Sequence, residues 1–88
     1  MQWTIRLSLD AAKQFSKLSR EQREMLASSI ERMRRDPFQG DVKPLQGKKW
    51  KGRYRKRIGW YRIIFIPFHS GQIVEISQIL LRAENTYR

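Results

Sequence analysis

The sequence has no cysteine, a single histidine and no long apolar run. Without cysteine the chain forms no disulfide, thiolate metal site or thiol nucleophile, and this composition fits a reducing cytoplasm. One histidine without a carboxylate cluster argues against a metal centre, and we expect no metal or other cofactor. No apolar run approaches the roughly 20 residues that span a bilayer. The first residues alternate in polarity, so we expect no signal peptide either.

Acidic residues are scarce as well. The chain has 8 acidic and 19 basic residues, a net charge of +11. Nine of the basic residues lie between Lys43 and Arg62, with no acidic residue among them. Cations that neutralise phosphates release counterions, so such a basic block is typical of proteins that bind nucleic acid. An anionic membrane surface and an acidic protein are the alternative partners.

Aromatic rings interleave with these charges at Trp50, Tyr54, Trp60 and Tyr61. Unpaired bases stack on aromatic faces while cations hold the phosphate backbone, so the mixture favours single-stranded nucleic acid. The hydrophobic fraction of 40% and the aromatic fraction of 11% indicate a folded chain and not a disordered basic tail. The length of 88 residues predicts one domain, residues 1–88.

The N-terminal part of the chain predicts a strand followed by two helices. Apolar residues alternate with polar ones over residues 3–9, the period of a strand with one buried face. Asp10 is the predicted N-cap of a short helix. Ser19 followed by Gln22 is the capping-box pattern, which begins a second helix, and Pro37 is predicted to end it. The second helix carries an apolar stripe that is predicted to face the core: Met25, Leu26, Ile30 and Met33.

The C-terminal half predicts a loop and three strands. Proline and glycine recur in residues 37–49, which are therefore predicted to form a connecting loop. Strand-like runs follow at residues 50–58, 61–68 and 72–81, joined by short turns. His69, at the second turn, is interpreted as a solvated loop residue. The whole order predicts an α+β fold, β-α-α-β-β-β, with two N-terminal helices packed on an antiparallel sheet.

A two-residue turn at Gly59 and Trp60 predicts that Arg57 lies opposite Arg62. Alternation then puts on one sheet face Arg53, Arg55, Arg57 and Arg62. It puts on the other face Tyr54, Lys56, Ile58, Tyr61, Ile63 and Phe65. Like charges that lie directly opposite each other destabilise a sheet, so the stability of the fold does not explain this pair. A phosphate bound between the two arginines would explain it. The alternative is a solvated face that keeps the protein soluble. A one-residue slip would separate the two arginines onto opposite faces.

Three short segments are specific enough to suggest a family. They read LQG at residues 45–47, YRKRIGWYRIIF at residues 54–65 and LLRAENTY at residues 80–87. In the middle segment a basic strand leads through a glycine turn into Tyr-Arg and an apolar strand. Together with the order of elements, these segments resemble the RelE/ParE superfamily of bacterial toxins from type II toxin–antitoxin pairs.

The resemblance implies a RelE-like fold and, for RelE-type members, an endoribonuclease that cuts mRNA in the ribosomal A site without a metal. By motif, Arg57, Arg62 and Arg82 match basic residues of the family site. Tyr87 matches a C-terminal tyrosine that stacks on a base or assists the 2′-hydroxyl. We expect catalytic roles for these four residues. We expect RNA-binding roles for five other cations of the basic block and for the tryptophan of its turn: Lys48, Lys49, Lys51, Arg53, Arg55 and Trp60.

The sequence departs from the family pattern at Leu81-Arg82, where many members have His-Arg. ParE-type members share the fold, poison DNA gyrase and lack the nuclease residues, so gyrase inhibition is the alternative function. A third reading is an inactive or simple nucleic-acid-binding member whose basic face serves an antitoxin. The partners that the resemblance implies are a cognate antitoxin, acidic or amphipathic, and the ribosome with its mRNA. We expect a cytoplasmic protein with no membrane partner.

Overall fold

A computed structural model describes residues 2–81 of the protein. Within these residues the chain forms two α-helices and five strands. The elements are β1 (Thr4–Leu7), α1 (Leu9–Ser16), α2 (Arg20–Arg32), β2 (Val42–Pro44), β3 (Tyr54–Ile58), β4 (Tyr61–Phe68) and β5 (Ile73–Leu81). One turn of 3-10 helix (Lys48–Trp50) precedes β3. Neither helix in this part of the chain is long and apolar enough to cross a membrane.

The strands form one five-stranded sheet in the order β1-β5-β4-β3-β2. The predicted antiparallel pairing of the last three strands is confirmed, and β2 adds a further antiparallel strand at one edge. At the other edge β1 runs parallel to β5. The period-two pattern of β1 indicated a strand with one buried face, but such a pattern does not identify the partner strand. The predicted α+β fold with two helices packed on a sheet is confirmed, and the sheet, predicted to be antiparallel, is mostly so, with β1 as its one parallel strand among the described residues.

The core lies between the two helices and one face of the sheet. Ala11 of α1 and Leu26 and Met33 of α2 are fully buried. They pack with alternate residues of the strands, among them Ile58, Tyr61, Ile63, Phe65, Val74, Ile76 and Ile79. The helix-free face of the sheet is called the open face below.

Met25 does not belong to the core, contrary to its prediction. It is 39% exposed, and it lies against the β3–β4 turn, where a Cβ atom on Gly59 would be 3.3 Å from its sulfur. The apolar stripe of α2 is therefore wider than the part of the helix that the sheet covers. The sheet ends beneath Met25, so this residue packs on a turn and not on a strand.

The prediction that residues 37–49 form a loop is wrong at Val42–Pro44, which form a strand. Val42 lies opposite Lys56 and Pro44 lies opposite Tyr54, so β2 forms a short edge strand. Proline is tolerated there because an edge strand leaves some backbone N–H groups unpaired. The strand predicted to begin at residue 50 begins instead at Tyr54, since the chain first makes a helical turn and passes through Gly52 with a positive φ of 78°.

Serine side chains begin both helices. The capping box of α2 is confirmed, with the Gln22 amide donating to Ser19 Oγ at 3.2 Å and the Ser19 amide donating to Gln22 Oε1 at 3.0 Å. The prediction that Asp10 caps α1 is wrong: the N-cap is Ser8, and Asp10 lies in the first turn. Ser8 Oγ accepts from the Ala11 amide at 3.1 Å. Helix α2 ends at Arg32, before the predicted stop at residue 37.

Ser8 also connects its helix to the sheet, because its hydroxyl donates to the Ser77 carbonyl of β5 at 2.8 Å. We therefore expect Ser8→Ala to destabilise the protein more than Ser19→Ala. Loss of either cap costs about 1 kcal/mol, and loss of the added hydrogen bond costs roughly 0.5–1.5 kcal/mol more. Equilibrium unfolding in urea measures both variants. Equal losses would show that the bond to β5 contributes nothing.

Candidate nucleic-acid interface

The β3–β4 hairpin sets two arginines directly opposite each other. Ile58 lies opposite Tyr61 and Arg57 lies opposite Arg62, the predicted register of a two-residue turn. Gly59 has a positive φ of 56° in this turn, a conformation that glycine adopts without strain. Because paired residues share a face, both arginines project from the open face, where cross-strand Cβ atoms are about 5 Å apart. The pair can therefore hold one oxyanion between two cations.

Asp41 contacts two arginines of β3 from the edge of the sheet. Arg55 Nη1 lies 3.1 Å from Asp41 Oδ1, and Arg57 Nη1 lies 3.8 Å from Asp41 Oδ2. Arg55 Nη1 also donates to the Asp41 carbonyl at 3.3 Å, and Arg55 is only 8% exposed. Arg57 is more open, with 38% of its side chain exposed. Arg55 is thus positioned to orient Asp41, while Arg57 remains available at the surface.

Sequence reasoning missed Asp41 because it lies just outside the basic block, in the predicted loop. Its role depends on β2: the Arg57 amide donates to the Asp41 carbonyl at 3.1 Å, which places the carboxylate beside β3. The hydrogen bond from Arg55, with further attraction from Arg57 and Lys43, holds the pKa of the Asp41 carboxyl below its ordinary value of 3.8. Asp41 therefore remains charged near neutral pH and fixes the geometry of the arginine cluster.

The remaining predicted RNA-binding cations form a second group at the far end of β3. They lie in the turn before the strand, where Trp50 is flanked by Lys49 at 5.4 Å and by Arg53 at 5.9 Å from its ring centre. The exposed residues of this group are Lys48, Lys49 and Lys51. At about 3.3 Å per residue, Arg53 and Arg57 are separated by roughly 13 Å along the strand. The cations before β3 are therefore separate from the arginines at the hairpin.

Trp60 lies at the tip of the hairpin, beside the arginine pair and not beside the lysine group. Its side chain is 77% exposed, the most exposed large apolar residue in the described chain. An exposed indole at the end of a basic hairpin can stack on an unpaired base. Arg82 and Tyr87, the other predicted catalytic residues, lie outside the described residues; the described chain ends at Leu81, opposite Tyr61.

His69 is exposed in the turn before β5, as predicted, but its ring has partners that the sequence did not indicate. It stacks on Phe38 with 6.0 Å between ring centres and meets Trp3 edge-on at 5.5 Å. This cluster closes the end of the sheet remote from the arginine pair. Within residues 2–81, no group of three or more histidine, aspartate or glutamate side chains is placed to hold a metal ion.

Comparison with solved structures identifies the fold. A chain of the archaeal RelE–RelB complex from Pyrococcus horikoshii is 19% identical with a TM-score of 0.80, and the match covers 97% of this chain and 100% of that chain. A chain of the RelBE2 toxin–antitoxin complex from Mycobacterium tuberculosis is 22% identical with a TM-score of 0.83, over 93% and 100%. The isolated RelE toxin from Escherichia coli is 17% identical with a TM-score of 0.76, over 96% and 88%.

No protein-family model matches the sequence, and no curated protein sequence matches it either. The chain therefore has the RelE-like fold that the motif resemblance implied.

The lowered pKa of Asp41 predicts how stability depends on pH. A carboxyl whose pKa is depressed by folding stabilises the protein above its unfolded pKa, and that contribution disappears as pH falls through the folded pKa. We therefore expect the wild type to unfold with a larger free energy than Asp41→Asn near pH 6. The difference should shrink below about pH 3.8, the ordinary value, and vanish at still lower pH.

Urea unfolding of both proteins across this pH range measures the difference. Glu24→Gln is the control, because Glu24 pairs with Arg20 at 3.2 Å on a fully open helix face, where an ion pair contributes little. A difference between wild type and Asp41→Asn that stays constant from pH 6 to about pH 2 would show that the carboxylate does not hold the arginines.

Proposed function

We propose that the protein is the toxin of a type II toxin–antitoxin pair and an endoribonuclease that cuts mRNA in the ribosomal A site. The observation that carries the proposal is the opposition of Arg57 and Arg62 on the open face of a RelE-like sheet. Folding does not favour two like charges in direct opposition. A phosphate between them is bound by two guanidinium groups, whose planar arrays of N–H donors match its oxygens.

The proposed reaction is a transesterification. The 2′-oxygen of a ribose forms a bond to the adjacent phosphorus, and the bond from that phosphorus to the 5′-oxygen breaks. The products are a 2′,3′-cyclic phosphate and a 5′-hydroxyl. The attacking hydroxyl loses its proton to a base, and the departing oxygen takes up a proton. Arg57 and Arg62 stabilise the negative charge that accumulates on the five-coordinate phosphorus, where fixed charges are most effective.

Proton transfer is the weak point of such a site. An arginine keeps its proton, with a pKa above about 12, so it is a poor base. Asp41 is the carboxylate beside the pair, but the lowered pKa that Arg55 causes makes it a weak base too. Rate enhancement then rests on charge stabilisation and on holding the RNA in line, which the ribosome assists. The protein should therefore cleave free RNA poorly.

Arg82 and Tyr87 complete the proposal through the motif resemblance. Arg82 is assigned to the departing 5′-oxygen, which a cation stabilises. Tyr87 is assigned to the base or to the attacking hydroxyl. Both lie outside the described residues, so their roles rest on the sequence motif.

The open face also supports an antitoxin as partner. Beyond the arginines it carries apolar side chains: Phe68 is 44% exposed, and Ile66 and Ile73 are half-buried. Cations next to an apolar strip fit an amphipathic segment with acidic residues on its border, and opposite charge speeds its capture. We propose that the antitoxin covers this face and the arginine pair together.

The proposed nuclease is tested by mapping 5′ ends of an mRNA in a translating extract by primer extension. The wild type should create new ends inside codons. Arg62→Ala should lower the cleavage rate about 10²-fold or more, the usual effect of removing one charge-stabilising donor. Arg6→Ala is the matched control, since Arg6 lies on the same open face but pairs with Glu75 at 3.5 Å; it should cleave like the wild type.

Two outcomes would contradict the proposal. A folded Arg62→Ala protein with full cleavage would remove the arginine pair from the site. Intact mRNA together with inhibited DNA supercoiling would assign the chain to the gyrase-directed class. Circular dichroism of each variant shows whether a loss of cleavage reflects a loss of structure.

Substitutions of Tyr87 separate its two proposed roles. If the ring stacks on a base, Tyr87→Phe should keep most of the cleavage and Tyr87→Ala should lose it, because stacking contributes roughly 1–3 kcal/mol per base. If the hydroxyl takes part in proton transfer, the cleavage rate of Tyr87→Phe should fall about 10²-fold or more, nearly as far as that of Tyr87→Ala. Full cleavage by a chain that ends before Tyr87, in the same extract, would show that it has no role.

A further inference from the structure

A buried lysine faces the helices from the middle of the basic strand. Lys56 lies opposite Val42 on one side and opposite the fully buried Ile63 on the other. It is 9% exposed. Its ammonium has neither an ion pair nor a hydrogen bond to any side chain of residues 2–81. Lysines are almost never buried without a partner, so this residue needs an explanation.

Burial lowers the pKa of Lys56, and repulsion from another cation, Arg32 in the last turn of α2, lowers it further, while Asp36 has the opposite effect. Arg32 donates from Nη2 to the buried Ser29 hydroxyl at 3.1 Å, which holds the guanidinium beside the strand. Two cations and a hydroxyl thus converge with no carboxylate paired to either cation among the described side chains.

These groups line a cleft of about 420 Å³ between the end of α2 and the edge of the sheet. Gly40 forms part of its wall, and a Cβ atom there would lie 4.0 Å from Cε of Lys56. The backbone at Gly40 has a φ of +90°, which glycine adopts readily and other residues rarely do. The absence of a side chain at this position therefore keeps the end of the lysine accessible from the cleft.

The cleft joins the open face at the sheet edge. Arg57 lines the cleft, although its position in β3 also opposes it to Arg62 on the open face. Asp41 lines the cleft as well, but its two carboxylate oxygens are directed to Arg55 and Arg57. One polyanionic strand can therefore extend from the arginine pair around the edge of the sheet to Lys56 and Arg32.

We infer that this cleft binds a phosphate group of RNA, on the same strand as the phosphate held by Arg57 and Arg62. The inference rests on the proposed function only for the phosphate that lies between Arg57 and Arg62. Burial holds the carbon chain of Lys56 so that its ammonium lies at the cleft, and no carboxylate of the described residues is within ion-pair distance of Lys56 or Arg32. A bound anion would supply that missing counter-charge. A single carboxylate from a protein would leave most of the 420 Å³ unfilled, whereas a phosphate with its ribose occupies more of it.

Salt dependence of RNA binding tests the inference without a ribosome. The probe is a fluorescein-labelled 2′-O-methyl RNA oligonucleotide, which lacks the attacking hydroxyl, and the readout is fluorescence anisotropy. Lys56→Met should reduce the slope of log K against log salt by about 0.7, the contribution of one phosphate on a single strand. At 0.1 M salt this corresponds to an affinity about fivefold lower. The melting temperature should stay the same or rise.

Two further variants make the result specific. Arg32→Gln, on an exposed position of α2, should reduce the slope similarly and does not depend on repacking the core. Lys17→Met removes the same charge from the exposed end of α1 and should leave the slope unchanged. Unchanged slopes for folded Lys56→Met and Arg32→Gln would overturn the inference, as would a wild type that does not bind the oligonucleotide.

The outcomes also separate this inference from the proposed nuclease. A reduced slope with no cleavage in the translating extract would support the cleft and refute the nuclease. Cleavage with an unchanged slope would do the reverse. If Lys56→Met binds RNA like the wild type but has lost affinity for polyglutamate, the cleft takes carboxylates of a protein partner, and the RNA assignment is wrong.

Discussion

The register of the β3–β4 hairpin is the constraint on which the basic surface depends. A two-residue turn fixes Arg57 opposite Arg62 and, by alternation, sends Lys56 to the helix side. A slip of one residue would move each of these side chains to the other face and would take Ile63 out of the core that packs against the helices. The hydrophobic core therefore holds the arginine pair in place. The same buried residues that stabilise the sheet prevent the two cations from separating.

A single carboxylate then divides the cations by role. Asp41 reaches β3 only because β2 pairs there, and it takes Arg55 out of solvent while leaving Arg57 partly exposed. The lysines before β3 gather around Trp50 at the other end of the strand. The cations therefore do not form one uniform patch. They form an arginine pair at the hairpin, a lysine group at the start of β3, and the Lys56 and Arg32 cleft at the sheet edge.

The features of the fold that the sequence predicted correctly are those that depend on interactions between neighbouring residues. Alternation and the glycine turn depend on neighbouring residues, so the hairpin, its register and the shared face of Arg55, Arg57 and Arg62 were predictable, whereas Arg53 lies before the strand and not on its face. The capping box of α2 was predictable for the same reason. The parallel pairing of β1 with β5, the edge strand β2 and the contact of Asp41 with Arg55 join distant segments. No local sequence pattern encodes these contacts, and the proline and glycine residues around β2 led to the prediction of a loop there.

If the open face binds an anion between Arg57 and Arg62 as proposed, the repulsion between these two arginines destabilises the folded protein. A double-mutant cycle measures that cost directly. Free energies of unfolding in urea at low salt, for Arg57→Ala, Arg62→Ala and the double variant, isolate the interaction of the pair from the other contacts that each arginine makes. We expect an unfavourable coupling of roughly 0.2–1 kcal/mol, the scale of cross-strand pairs, which salt should weaken. A favourable coupling would show that the pair stabilises the fold, and a coupling of zero would show that the pair costs the fold nothing; either result would refute this arrangement.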